Sequence, residues 1–154
     1  YEPIIMIQKP YEKPLAKNIL SYGTGALDLE HTRIPYDSGE IHVGHNPHPS
    51  GRVMANIIQT DSFGDYQKFF FVGKVRDGKK TGNTHPTVKP QDLMQCLISL
   101  VSKENDIVLD PFMGSGSTGI SALALHRNFI GYEKEKDYFK IAQQRILHIL
   151  NKKS

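Results

Sequence analysis

Three glycines, Gly114, Gly116 and Gly119, follow a short apolar run from Ile107 to Leu109 and lead into a helical pattern from Thr118 to His126. A glycine turn between a strand and a helix lets a ligand approach the backbone and lets the helix pack close to the strand. Phe129 to Tyr132 reads as the next strand. Asp137 is placed to cap a last helix that carries Tyr138, Ile141, Ala142, Ile146 and Ile149 on one side. Upstream, Pro90 can open a helix, because the first helical position needs no N–H donor, and Leu93, Leu97, Leu100 and Val101 line one face of it. The order strand, glycine loop, helix, strand, helix predicts an α/β fold built on a doubly wound, mostly parallel sheet with helical crossovers.

The front half is less regular. Ile4 to Ile7, between Pro3 and Pro10, predicts a buried strand. From Tyr11 to Gln67 the pattern breaks up. Gly23 and Gly25 bracket a turn, and His42 to Arg52 holds Gly44, Pro47, Pro49 and Gly51. Phe69 to Val72 is a second strand candidate. The chain therefore divides into a core strand at 1–10, a long irregular insert at 11–67 suited to target recognition, and a ligand-binding half at 68–154.

Net charge is a mild +3 and does not by itself point to nucleic acid. Its distribution says more: Lys68, Lys74, Arg76, Lys79, Lys80 and Lys89 stand against the single acid Asp77. A phosphate backbone would favour that stretch, and a solvated loop fits the charges equally well. Cys96 is the only cysteine, which excludes an internal disulfide and a cysteine metal cluster and points to a reducing cytoplasm. No metal site is expected. No apolar run approaches the ~18 residues of a membrane span, and no signal peptide is visible. The first residue is Tyr1 rather than Met, which reads as a fragmentary end.

Asp110 bears on which ligand the loop takes. It stands at the carboxyl end of the first strand, before the glycines, and Glu133 lies 23 positions later at the end of the next strand. A carboxylate there can accept hydrogen bonds from both ribose hydroxyls. A dinucleotide brings pyrophosphate to the loop, which Asp110 would repel. A ligand carrying an ammonium and a sulfonium would gain about 1 to 4 kcal/mol from the same charge at ~4 Å. The plainer alternatives are a turn or helix cap for Asp110 and a surface charge beside Lys134 and Lys136 for Glu133. In His85-Pro86-Thr87-Val88-Lys89-Pro90, two prolines stiffen the segment and aim Thr87 and Lys89 in fixed directions. By composition alone it is a proline-bounded linker.

Together these residues resemble the DNA methyltransferases that act on exocyclic amino groups, N6 of adenine or N4 of cytosine. His85 to Pro90 is similar to that family's motif before the first cofactor helix, and Asp110 to Gly119 to its cofactor loop; Gly131-Tyr132-Glu133 stands where the family holds the ribose. Looser similarity runs through the front half: Tyr1–Pro10 looks like a core strand and the residues after it, Asn18–Ala26 and Gly51–Ile58 resemble stretches common in phage and bacterial members, and Lys68–Lys74 looks like the last strand before the cofactor motifs. The resemblance implies a Rossmann-like methyltransferase domain and S-adenosyl-L-methionine as cofactor. It implies a site formed by Asp110, Pro111, Phe112, Gly114, Ser115, Gly116, Thr118 and Glu133, with Thr87 and Lys89 near the methionine end. It further implies double-stranded DNA as partner, adenine ahead of cytosine as target, and a setting in restriction–modification. Arg33, Arg52 and Lys68 are candidate DNA contacts, though each is as readily a solvated charge.

The family's catalytic tetrapeptide is Asp, Asn or Ser, then Pro-Pro, then an aromatic residue. It is absent from these residues: Asp110-Pro111-Phe112 lacks the second proline, and Asn46-Pro47-His48-Pro49 differs at its third and fourth positions. The expectation is therefore a chain with no catalytic residue of its own, completed by an upstream or complementing segment. A catalytically inactive module binding S-adenosylmethionine or DNA is the alternative, and a nicotinamide-dependent oxidoreductase fragment a remote one. The sequence leaves the oligomeric state open.

Overall fold

In the computed structural model, strand β3 (Ile107–Asp110), helix α3 (Ser117–Ala124) and strand β4 (Asn128–Gly131) form one strand–helix–strand unit. The two strands pair in parallel, with Ile107 beside Asn128 and Asp110 beside Gly131. The structure describes residues 4–12, 14–36, 47–53, 58–59, 71–72 and 89–151. Before this unit lie α1 (Leu15–Tyr22), a parallel pair of two-residue strands β1 (Ile58–Gln59) and β2 (Phe71–Val72), and α2 (Gln91–Val101); α4 (Lys136–Asn151) follows it. Parallel strands joined through a helix give the expected α/β class.

Helix α3 is the hub, packed on both strands and on α2 and α4. Its sequence, STGISALA, explains this. Gly119, Ser121 and Ala122 are small, so neighbours on every side come close. A Cβ on Gly119 would lie 2.6 Å from the Phe129 ring and 3.0 Å from Ile146 Cδ1. Ser121 is fully buried, with its hydroxyl directed at the Gln91 carbonyl (3.4 Å). Ile98 of α2, Ile120 of α3 and Ala142 of α4 fill the core around it. Burying each isoleucine is worth about 1.5 to 3 kcal/mol.

The two strands alternate. Val108 and Phe129 are part-covered, while Ile107, Leu109 and Ile130 are 65%, 59% and 45% exposed. Among the described residues, helices therefore cover one face of the β3–β4 pair and leave the other open. At the strands' amino ends, Asn105 (φ 69) and His126 (φ 62) adopt left-handed backbone. Arg127 clamps this end by donating to the carbonyls of Ser102 and Leu125, 2.6 Å each, and to the Ser102 hydroxyl at 3.3 Å.

Several expectations need correction. Ile4–Ile7 forms no strand; Ile5 and Ile7 are 80% and 87% exposed. A strand needs a ladder partner and a covered face, and no described segment supplies either. The segment is tied only by side chains: Tyr11 Oη donates to the Gly25 carbonyl (2.9 Å), as does Gln8 Nε2 (3.0 Å). The 11–67 stretch contains a helix, α1, entered at Pro14 and ended by Gly23 in left-handed conformation (φ 66). Asp137 lies inside α4, in its first turn, rather than capping it. Pro90 precedes the first residue of α2 instead of occupying it.

Candidate functional site

The glycine loop emerges from the carboxyl end of β3, and its backbone is tied to β4. Tyr132 N–H donates to the Asp110 carbonyl (2.9 Å), and Met113 N–H donates to the Tyr132 carbonyl (2.9 Å). These bonds carry the pairing past the strands and bring Glu133 beside the loop. Glu133 Oε2 accepts from Gly114 N–H (2.9 Å) and Oε1 from Glu135 N–H (2.9 Å). Two backbone donors thus fix one carboxylate, and its remaining lone pairs stay available to a ligand.

Asp110 Oδ1 accepts from Phe112 N–H (3.0 Å) and closes a turn. The capping reading of Asp110 is therefore realised, and it does not compete with a binding role. Its second oxygen makes no hydrogen bond among the described residues. The structure brings Asp110 and Glu133 to adjacent strand ends on either side of one loop, the pair of acids read from the sequence. Phe112 stands at the crest, 88% exposed, with Pro111 exposed beside it.

Several of the loop's own donors are already engaged. The N–H groups of Phe112, Met113, Gly114 and Gly116 are bonded to Asp110, Tyr132, Glu133 and Met113 respectively. A pyrophosphate cradle needs such amides free and aimed outward. Here four are used internally, two of them on carboxylates. The residues present fit a cationic ligand with a ribose, with two carboxylates set at adjacent strand ends.

Gly116 has a role the sequence did not reveal. Its φ is +82, and a Cβ there would lie 3.0 Å from Ala142 Cβ and 3.2 Å from Ala142 Cα. The missing side chain makes room for α4 rather than for a ligand. Gly114 (φ 52) is the other left-handed position of the loop. Ser115 lies between them, buried, with its carbonyl and hydroxyl receiving Arg145 Nη1 from α4, the hydroxyl at 2.9 Å. Thr118 sits part-buried in the first turn of α3. Sequence reading missed Arg145, whose only signal is a charge on the inward side of α4.

Of the remaining candidates, Thr87 and Lys68 lie outside the described residues, and Lys89 is exposed just before α2. Arg33 and Arg52 are held close together at the Ile34–Arg52 bridge. Arg33 bonds Glu30 (2.9 Å) and the Gly51 carbonyl (3.1 Å), and Arg52 lies over the Tyr36 ring at 5.1 Å, next to the Ile34–Arg52 antiparallel bridge. Nearby, burial opposes ionisation of Asp28, but the His31 backbone N–H and ring outweigh it and hold the carboxyl below its usual range. The Arg33 guanidinium does the same for Glu30. The described residues hold no cluster of potential metal ligands, and no helix among them is long and apolar enough to cross a membrane.

Comparison with known proteins identifies the family. Residues 1–144 match the N6/N4 family model described as DNA methylase. The chain is 35% identical over 148 residues to Type II methyltransferase M.HindIII of Haemophilus influenzae, covering 95% of this chain and 40% of that protein. It is 47% identical over 76 residues to Type II methyltransferase M.HinfI of the same species, covering 49% of this chain and 20% of that protein. Among solved structures, the M1.HpyAVI–SAM complex shares 55% identity over 42% of this chain and 33% of that one, with a TM-score of 0.39. The chain thus spans less than half the length of these relatives. Matched along nearly its whole length, the chain belongs to the N6/N4 DNA methylase family.

Proposed function

We propose that this chain carries the S-adenosyl-L-methionine-binding part of a DNA methyltransferase acting on an exocyclic amino group, adenine N6 ahead of cytosine N4. The observation that carries the reading is the pair of carboxylates, Asp110 and Glu133, set on adjacent parallel strand ends around a glycine loop whose amides are largely spent. Asp110 attracts the ligand's ammonium. Glu133, oriented by Gly114 and Glu135, receives the ribose hydroxyls. Phe112 and Pro111 offer an apolar surface at the loop crest, and Thr87 and Lys89 serve the methionine end. When bound, the cofactor supplies a sulfonium methyl group for transfer to nitrogen. Double-stranded DNA is the partner, its target base flipped out at a cost of a few kcal/mol. The adenine preference rests on family resemblance.

The Pro-Pro-aromatic tetrapeptide that would hold the amino group is not among these residues, and a segment outside them supplies it. Positioning of this kind accounts for about 7 to 11 kcal/mol of a barrier, so a partial site is effectively silent. The test is tritiated methyl transfer to mixed-sequence duplex DNA, with the product base identified by mass. Residues 1–154 alone should give no transfer, and adding the segment with the tetrapeptide should restore it. Turnover by the chain alone would reveal an unrecognised catalytic group. Silence even with the segment present would favour an inactive binding module.

A further inference from the structure

Helix α4 runs beneath the glycine loop and presents Ala142, Arg145 and Ile146 to it, an i, i+3, i+4 set on one face. Ala142 and Ile146 account for the close apolar packing on Gly116 and Gly119. Arg145 is not needed for that packing, and an apolar residue in its place would avoid burying a charge. Burial pushes its guanidinium pKa down, and it makes no ion pair with a carboxylate among the described residues. A half-buried charge without a counterion is costly unless its hydrogen bonds are well used. Arg145 directs Nη1 at both the carbonyl and the hydroxyl of Ser115. Ser115 is 4% exposed, so water is poorly placed to replace those bonds. It also lies between Gly114 (φ 52) and Gly116 (φ 82), the two left-handed positions of this loop.

We infer that Arg145 is a positioning residue for the cofactor loop, pinning Ser115 so that Gly114 and its carboxylate partner Glu133 are presented in one geometry. The inference rests on the reading of this loop as the S-adenosylmethionine site. The contact reaches the ligand only through Ser115, Gly114 and Glu133, and so acts by limiting loop motion.

The experiment compares the unsubstituted chain with Arg145→Met and Arg145→Lys, using amide hydrogen exchange without ligand and calorimetric titration with S-adenosylhomocysteine. Arg145→Met should speed exchange at Gly114–Gly116 selectively, leaving α2 and the β3–β4 pairing protected. It should weaken binding by up to about tenfold, the limit set if re-ordering the freed loop costs as much as one charge-assisted hydrogen bond. Arg145→Lys keeps a charged donor on the same helix face and should recover most of both effects. A purely structural role would instead raise exchange throughout α3 and α4 and lower the melting temperature, with affinity unchanged once the folded fraction is allowed for; that pattern would overturn the inference. Unchanged loop exchange in Arg145→Met would also overturn it. If the unsubstituted chain failed to bind S-adenosylhomocysteine, the site reading itself would fall, and the exchange pattern would still decide whether Arg145 anchors the loop.

Discussion

One carboxylate oxygen of Asp110 closes the turn to Phe112 N–H, and the proposed attraction for the ligand's ammonium uses the group's charge. Asp110→Asn separates them, because the amide oxygen can keep the turn while the charge is lost. The substitution should weaken S-adenosylmethionine binding by about fivefold or more and leave the melting temperature nearly unchanged. Equal affinity measured by calorimetry would place the ammonium elsewhere. Gly116 behaves differently. Its left-handed backbone and its contact with Ala142 each make a side chain costly, by about 1 to 2 kcal/mol for the backbone and about 1 to 3 for overpacking. Gly116→Val should therefore lower the urea midpoint, and any loss of binding should follow loss of fold; a fully stable variant that no longer binds would return Gly116 to the ligand face. Cys96 is 8% exposed and burial pushes its thiol pKa up, so at pH 8 it stays protonated and shielded. Iodoacetamide should label it only as fast as the chain opens. Rapid labelling of native protein would mean that α2 does not pack as described.

At the scale of elements, the sequence was legible wherever local pattern and tertiary packing ask for the same thing. Ile107–Asp110, the glycines, the Ser117–Ala124 helix and Asn128–Gly131 lie within a residue or two of where periodicity sets them. Asp110 and Glu133 could be read because strand ends and glycine spacing locate them without knowledge of distant residues. Other features could not. Helix α1 begins after a proline and ends at a glycine, with only eight residues between, too few for apolar periodicity to stand out. Ile4–Ile7 has the composition of a strand, but composition cannot supply a neighbour to pair with. Gly116's purpose depends on Ala142, 26 positions later, and Arg145's depends on Ser115, 30 positions earlier. Such long-range reasons leave no local trace. The charges of Arg33 and Arg52 were visible; their use at the Ile34–Arg52 bridge, against Glu30, the Gly51 carbonyl and Tyr36, was not.

For the whole molecule, the β3–β4 pair has helices on one face and exposes Ile107, Leu109 and Ile130 on the other among the described residues. An exposed position tolerates a charge within about 0.5 kcal/mol. Leu109→Lys should leave the melting temperature of the chain nearly unchanged; a large drop would mean that a segment beyond the described residues covers that face. The two relatives compared above are more than twice as long as this chain. Under the proposed reading, the loop between Asp110 and Glu133 selects a cationic nucleoside over a dinucleotide. Calorimetric titration of the purified chain with S-adenosylmethionine, S-adenosylhomocysteine and NAD tests it most directly. Saturable one-site binding of the first two and none of NAD is expected; saturable NAD binding with no response to either adenosyl compound would overturn the reading.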